Sequence, residues 1–191
     1  VHPIFGHILA RQLNQIDTCL NRPAPFTIVE MGAGKGLLAR DLLAACERQL
    51  PGLYARLRYV LIERSPAMRE LQRKNLLHGL CEPDLITWVD GLDSLPAHSL
   101  TGLFFSNELP DAFPVHRIQI ARGEAQEIYV AYDGVKFVEC LRPLSSPDVR
   151  RYLADLKLSL PDGYQTEINT AAVHWMKQVA RAIDRGAAIT I

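Results

Sequence analysis

The sequence predicts a doubly wound α/β domain built on a mostly parallel sheet. Short β-branched or aromatic runs alternate with segments of helical apolar spacing, the pattern of strands that carry helices on both faces. A glycine-rich loop joins the first run to the helix after it, as such folds require where a ligand approaches the sheet. At 191 residues, 48% hydrophobic and 22% charged, the chain is long and apolar enough to bury a core without disulfides or metal.

Phe5, Ile8, Leu9, Leu13, Ile16 and Leu20 recur at helical spacing, so residues 3–20 should form an amphipathic helix that Arg22-Pro23-Ala24-Pro25 ends. Residues 26–31 read as the first strand. Leu38, Leu42, Ala45 and Gln49 mark a helix to about Leu50, which Pro51-Gly52 should stop. Residues 57–62 form the second strand, and Ser65-Pro66 supplies an N-cap and a first-turn proline for a helix to about Leu77. Residues 85–89 and 103–106 are the third and fourth strands. After Pro114 the period changes to two. Residues 115–122, 126–132 and 135–141 alternate apolar and polar, with Asp133-Gly134 as a tight-hairpin signal. An antiparallel β-meander is therefore expected as an insertion at about 115–141. Helices at about 147–158 and 170–185, a turn at Pro161-Asp162-Gly163 and a last strand resume the alternation within one domain over 1–191. Val1-His2-Pro3, with no methionine, and the apolar close Ala187–Ile191 suggest a piece of a longer chain.

Twenty-one basic and twenty-one acidic side chains cancel, which argues against a nucleic-acid or membrane-surface partner. No apolar run approaches the ~20 residues of a membrane span. Cys19, Cys46, Cys81 and Cys140 form no CxxC pair and read as reduced, buried thiols. The six histidines lack metal-ligand spacing, so no metal is expected; His116 and His174 read as surface or hydrogen-bonded side chains.

The informative stretch is Glu30-Met31-Gly32-Ala33-Gly34-Lys35-Gly36-Leu37. A phosphate-binding P-loop needs four residues between its glycines and then Lys-Ser/Thr, which Leu37 denies. A dinucleotide fingerprint wants a small residue where Leu37 stands, which disfavours a nicotinamide oxidoreductase. The spacing acid-x-Gly-x-Gly-x-Gly resembles the first motif of class I S-adenosylmethionine (SAM) methyltransferases. Glu63 follows the second strand, where a carboxylate can accept from two ribose hydroxyls. Trp88 and Asp90 flank the end of the third, an aromatic and an acid suited to an adenine; core packing and an Asp-Gly turn are the plainer readings of this pair. Lys35 reads as solvated.

Ser106-Asn107-Glu108-Leu109-Pro110-Asp111-Ala112-Phe113-Pro114-Val115-His116-Arg117, with His2-Pro3-Ile4-Phe5-Gly6, the Glu30–Gly36 loop, Ile62-Glu63-Arg64-Ser65-Pro66 and Gly163-Tyr164-Gln165-Thr166-Glu167-Ile168-Asn169, resembles the MidA-like family of SAM-dependent methyltransferases along the whole chain. The resemblance implies a Rossmann-like class I methyltransferase fold and S-adenosyl-L-methionine as cofactor, leaving S-adenosyl-L-homocysteine as product. Mitochondrial members are complex I assembly factors that methylate an arginine of a core subunit, so a protein substrate is implied. The compartment would be cytoplasmic in a bacterium and the mitochondrial matrix in a eukaryote. By the same resemblance Glu30, Gly32, Gly34 and Gly36 hold the methionine portion, Glu63 the ribose, and Trp88 with Asp90 the adenine. Asn107, Glu108 and Asp111 stand where the acceptor is positioned, with Glu167 a weaker third carboxylate. Glu108 and Asp111 also suit capping of the turn that follows. Pro110 departs from the family, which has an apolar or aromatic residue there. A non-catalytic SAM-binding assembly factor and a small-molecule methyltransferase are the alternatives.

Overall fold

The structure, a computed structural model, describes residues 3–77 and 83–191; His2 and Cys81 lie outside the described residues. The chain divides into two compact units, Val1–Asp111 with Lys177–Ile191, and Ala112–Met176.

The first unit opens with α1 (Ile4–Cys19), β1 (Phe26–Met31) and α2 (Leu37–Gln49). A one-turn helix α3 (Pro51–Tyr54), β2 (Leu57–Ile62), α4 (Pro66–Leu77), β3 (Ile86–Val89) and β4 (Leu100–Ser106) follow. Pro51 therefore does not simply stop the chain. Its fixed φ suits the first position of a new helical turn. The second unit holds β5 (His116–Ala121), β6 (Glu124–Tyr132), β7 (Phe137–Arg142), α5 (Pro147–Leu156) and β8 (Gln165–Ile168). The chain returns along α6 (Thr170–Ala182) into β9 (Ile183–Thr190), a strand that begins two residues before the expected end of the helix.

Sheet order in the first unit is β3-β2-β1-β4-β9, every pairing parallel. Such strands are covered on both faces and read as near-continuous apolar runs, which is why residues 26–31 and 57–62 were legible. Phe26, Ile28, Leu57, Tyr59, Leu61, Leu103 and Phe105 are fully buried against Leu9 and Leu13 of α1 and Ala39, Leu42 and Leu43 of α2. Gly102 pairs with Gly186 across β4 and β9. A Cβ at Gly102 would overlap the Thr27 carbonyl, and one at Gly186 would overlap the Gly102 carbonyl. Both positions have positive φ, so they need glycine twice over.

The second unit is a four-stranded antiparallel sheet, β7-β6-β5-β8. The expected three-stranded meander thus gains a fourth strand, β8, which pairs with β5 from His116↔Ile168 to Gln119↔Gln165. Four residues of mixed polarity carry too little alternation to show as a strand before the pairing is known. Ile118, Val149 and Ile168 form a small core, with Leu144 and Leu153 packed on it. His116 Nδ1 lies 2.7 Å from Glu127 Oε1, and the Ser145 amide donates to Glu127 Oε2 at 2.7 Å. His116 is therefore a partnered side chain, while His174 is exposed.

Candidate functional site

Parallel register brings Met31, Ile62, Val89 and Ser106 to one level at the C-terminal ends of β1, β2, β3 and β4. The next residue on each strand is Gly32, Glu63, Asp90 and Asn107. Four of the residues singled out in the sequence thus stand side by side. From β1 the chain builds toward β2 and β3 on one side and β4 on the other, so a crevice opens between β1 and β4 at the topological switch point.

A cavity of about 350 Å³ occupies that crevice, lined by Glu30, Gly32, Ala33, Gly34, Lys35 and Asn107, with Phe5 of α1 and Leu37 and Leu38 of α2. Gly32, Gly34 and Gly36 all have positive φ, which lets the loop turn from strand to helix in so few residues. Beside Gly34 the space a Cβ would enter is open, so the bare backbone faces the cavity. Gly36 is buried, and a side chain there would press on Gln72 and Leu76.

Glu30 is 3% exposed and accepts a hydrogen bond from the Tyr59 hydroxyl at 2.6 Å. Burial pushes its pKa up to about 7, against the opposing effect of the Tyr59 hydrogen bond. A carboxylate so placed favours a cation in the cavity it lines.

Glu63, Trp88 and Asp90 lie toward α4, whose N-terminus Ser65 caps by accepting from the Met68 amide at 3.3 Å. Glu63 Oε1 accepts from the Ser65 amide at 2.8 Å, which orients the carboxylate. Arg69 spans two strand ends. Its Nε donates to the Glu63 carbonyl at 2.7 Å and its Nη2 to Asp90 Oδ1 at 2.6 Å. Asp90 is otherwise open to solvent, 83% exposed. Trp88 Nε1 donates to Gln72 Oε1 at 2.9 Å, and the Arg73 guanidinium lies 4.9 Å from the ring centroid. One face of the indole is thus already covered, and an adenine would have to use its edge or its other face.

Across the crevice, Asn107 and Glu108 are exposed. Glu108 has a positive φ of 50°, and its amide donates to the Ile191 carbonyl just beyond β9. Asp111 sits exposed in a single 3-10 turn, Pro110–Ala112. Leu109 packs on Gly32, joining this loop to the glycine loop. Lys35 is exposed, as expected. Glu167 belongs to the second unit. Sequence reasoning missed Gln72, Tyr59 and Leu109, which reach the site only through tertiary packing. Among the described residues no group of His, Cys, Asp and Glu is placed to hold a metal, and no helix is long and apolar enough to cross a membrane.

Comparison with known proteins converges on one family. A sequence profile described as "Putative S-adenosyl-L-methionine-dependent methyltransferase" matches residues 8–191. The mitochondrial protein arginine methyltransferase NDUFAF7 homolog of Drosophila melanogaster is 26% identical over 147 residues, covering 68% of this chain and 33% of the fly protein. A Burkholderia thailandensis protein crystallised with S-adenosyl-homocysteine superposes with a TM-score of 0.78 at 29% identity, covering 99% of this chain and 46% of that one. A native crystal structure from the same organism gives 0.77 at 30% identity, covering 98% and 48%. The chain spans about a third of the length of the fly relative and about half that of the two crystallised chains.

Proposed function

The chain belongs to this MidA-like family of S-adenosyl-L-methionine-dependent methyltransferases, and from that premise we propose that it binds the cofactor in the β1–β4 crevice and methylates an arginine side chain of a protein. The observation that carries the cofactor assignment is the cavity itself. It combines a bare glycine backbone at Gly34 with a buried, cation-seeking carboxylate at Glu30. Those features fit an amino-acid moiety whose ammonium meets Glu30 while its carboxylate meets loop amides. Glu63, held by the Ser65 amide with lone pairs to spare, is placed for two vicinal hydroxyls. Asp90 keeps an oxygen for an exocyclic amine.

When bound, S-adenosyl-L-methionine supplies a methyl group on a positively charged sulfur. The protein aligns the acceptor with that methyl and keeps water away. Asn107 lines the cavity and borders the acceptor side. Glu108 and Asp111, three residues apart on the loop after β4, are the carboxylates that clamp a guanidinium. A guanidinium holds its proton too tightly to be deprotonated before attack, so two carboxylates hold it and draw positive charge away from the attacking nitrogen. As the N–CH3 bond forms and the S–CH3 bond breaks, that nitrogen sheds its proton to one of the carboxylates and on to solvent. The arginine assignment is supported by the fly relative, named as a protein arginine methyltransferase. In a bacterium the reaction would run in the cytoplasm, and in a eukaryote in the mitochondrial matrix.

Titration calorimetry with S-adenosylhomocysteine, and with NAD as control, tests the cofactor. Micromolar binding of the first and none of the second is expected. Mass spectrometry of candidate acceptor proteins incubated with labelled cofactor tests the substrate, with label on arginine as the expected result. Label on lysine or on small molecules alone would overturn the arginine assignment.

A further inference from the structure

Gln72 projects from α4 into the one place where three separate parts of the site converge. Its side chain is wholly buried. Its Nε2 donates to the Gly34 carbonyl at 2.8 Å and, more weakly, to Glu63 Oε2 at 3.4 Å. Its Oε1 accepts from Trp88 Nε1 at 2.9 Å. The amide orientation is fixed by its partners, since an indole N–H only donates and a carbonyl only accepts. One turn further along the same helix, Asn75 Nδ2 donates to the Lys35 carbonyl at 2.8 Å. Two side-chain amides of α4 therefore hold two consecutive carbonyls of the glycine loop.

A trans peptide points its C=O and N–H in opposite directions. Turning the Gly34 carbonyl toward α4 sets the Lys35 N–H on the other face of the loop, and Lys35 lines the cavity. We propose that Gln72 is a positioning residue: it presets the glycine loop, the Glu63 carboxylate and the Trp88 indole together, so that the crevice meets its ligand already formed. This inference rests on the cofactor reading above. No other common side chain fits the role. Glutamate would keep the Trp88 bond but lose the donation to Gly34 and set a second carboxylate beside Glu63. Leucine would take away the donor to the Gly34 carbonyl and the acceptor of the Trp88 N–H, and with them the bonds that fix the loop and the indole.

The test compares wild type, Gln72→Leu, Gln72→Glu and Leu53→Ala by titration calorimetry with S-adenosylhomocysteine, with urea unfolding of each. Leu53 is buried in α3, away from the crevice, and its truncation is a control for lost stability alone. Both Gln72 variants should bind at least about tenfold more weakly while fully folded, and Leu53→Ala should bind as wild type does. Amide exchange at Gly36, whose N–H donates to the Ala33 carbonyl at 2.9 Å within the loop, should quicken in the ligand-free Gln72 variants only. Wild-type affinity in a folded Gln72→Leu or Gln72→Glu would overturn the positioning role and leave the cofactor reading standing. If wild type itself ignores S-adenosylhomocysteine, the cofactor reading falls and takes this inference with it. Should Gln72→Leu fail to fold, Gln72→Glu, which keeps the shape and one hydrogen bond, decides the question.

Discussion

Replacing Glu30 by Gln separates what the crevice costs the fold from what it contributes to binding. The carboxyl titrates at about 7 in the folded protein against 4.5 when solvated. Below the unfolded value both states are protonated and the folded protein carries no penalty. Between 4.5 and about 7 the unfolded chain releases its proton while the folded protein keeps it, so stability falls as pH rises. Above about 7 the loss is complete. At 1.36 kcal/mol per unit the gap amounts to roughly 3 kcal/mol. Glutamine has the same shape, still accepts from Tyr59 and carries no charge. Glu30→Gln should therefore match wild type near pH 4 and exceed it by roughly 3 kcal/mol at pH 8 in urea unfolding, with the difference opening across that window. The same variant should lose at least about tenfold in S-adenosylhomocysteine affinity at pH 8, because the ammonium loses its counter-charge. A stability difference that stays flat from pH 4 to 8 would refute the reasoning, since it would mean Glu30 titrates normally.

Other consequences are as direct. Tyr59→Phe removes the hydrogen bond that holds the Glu30 pKa down, so the pH midpoint above which S-adenosylhomocysteine binds tightly should move upward in calorimetric titrations. Glu108→Gln should cut methyl transfer about tenfold or more with cofactor affinity within a few-fold; full turnover would remove Glu108 from the mechanism. Gly102→Ala should cost about 3 kcal/mol or more, read as a loss of soluble folded protein, because Thr27 backbone stands where the methyl would go.

Strands β1 to β4 and the acids at their ends could be read because each rests on local chemistry. A β-branched run, a glycine where the chain must turn and a carboxylate one residue later are all visible in a single line of sequence. Gln72 could not be read that way. Arg69, Gln72, Arg73 and Asn75 belong to a polar stretch that looks like a solvated helix face, and only the approach of the glycine loop buries one of them. Trp88 was legible as an aromatic at a strand end, yet its hydrogen bond to Gln72 and its cover by Arg73 come from a neighbouring helix. The start of β9 was missed for a related reason. Ile183-Asp184-Arg185-Gly186 has no strand pattern of its own, and β4 dictates its conformation by pairing with it.

The glycine column across β4 and β9 has a consequence for how variants of this protein would be scored. Every missense change in a glycine codon introduces at least a Cβ, and at Gly102 or Gly186 that atom lands on a neighbouring carbonyl. In a saturation screen both positions would tolerate nothing, like the residues that line the crevice, although neither borders the cavity. An activity readout alone would group them with the chemistry. Pairing it with cellular abundance would sort them apart, with Gly102 and Gly186 variants vanishing from the soluble pool and Glu108 variants accumulating there inactive.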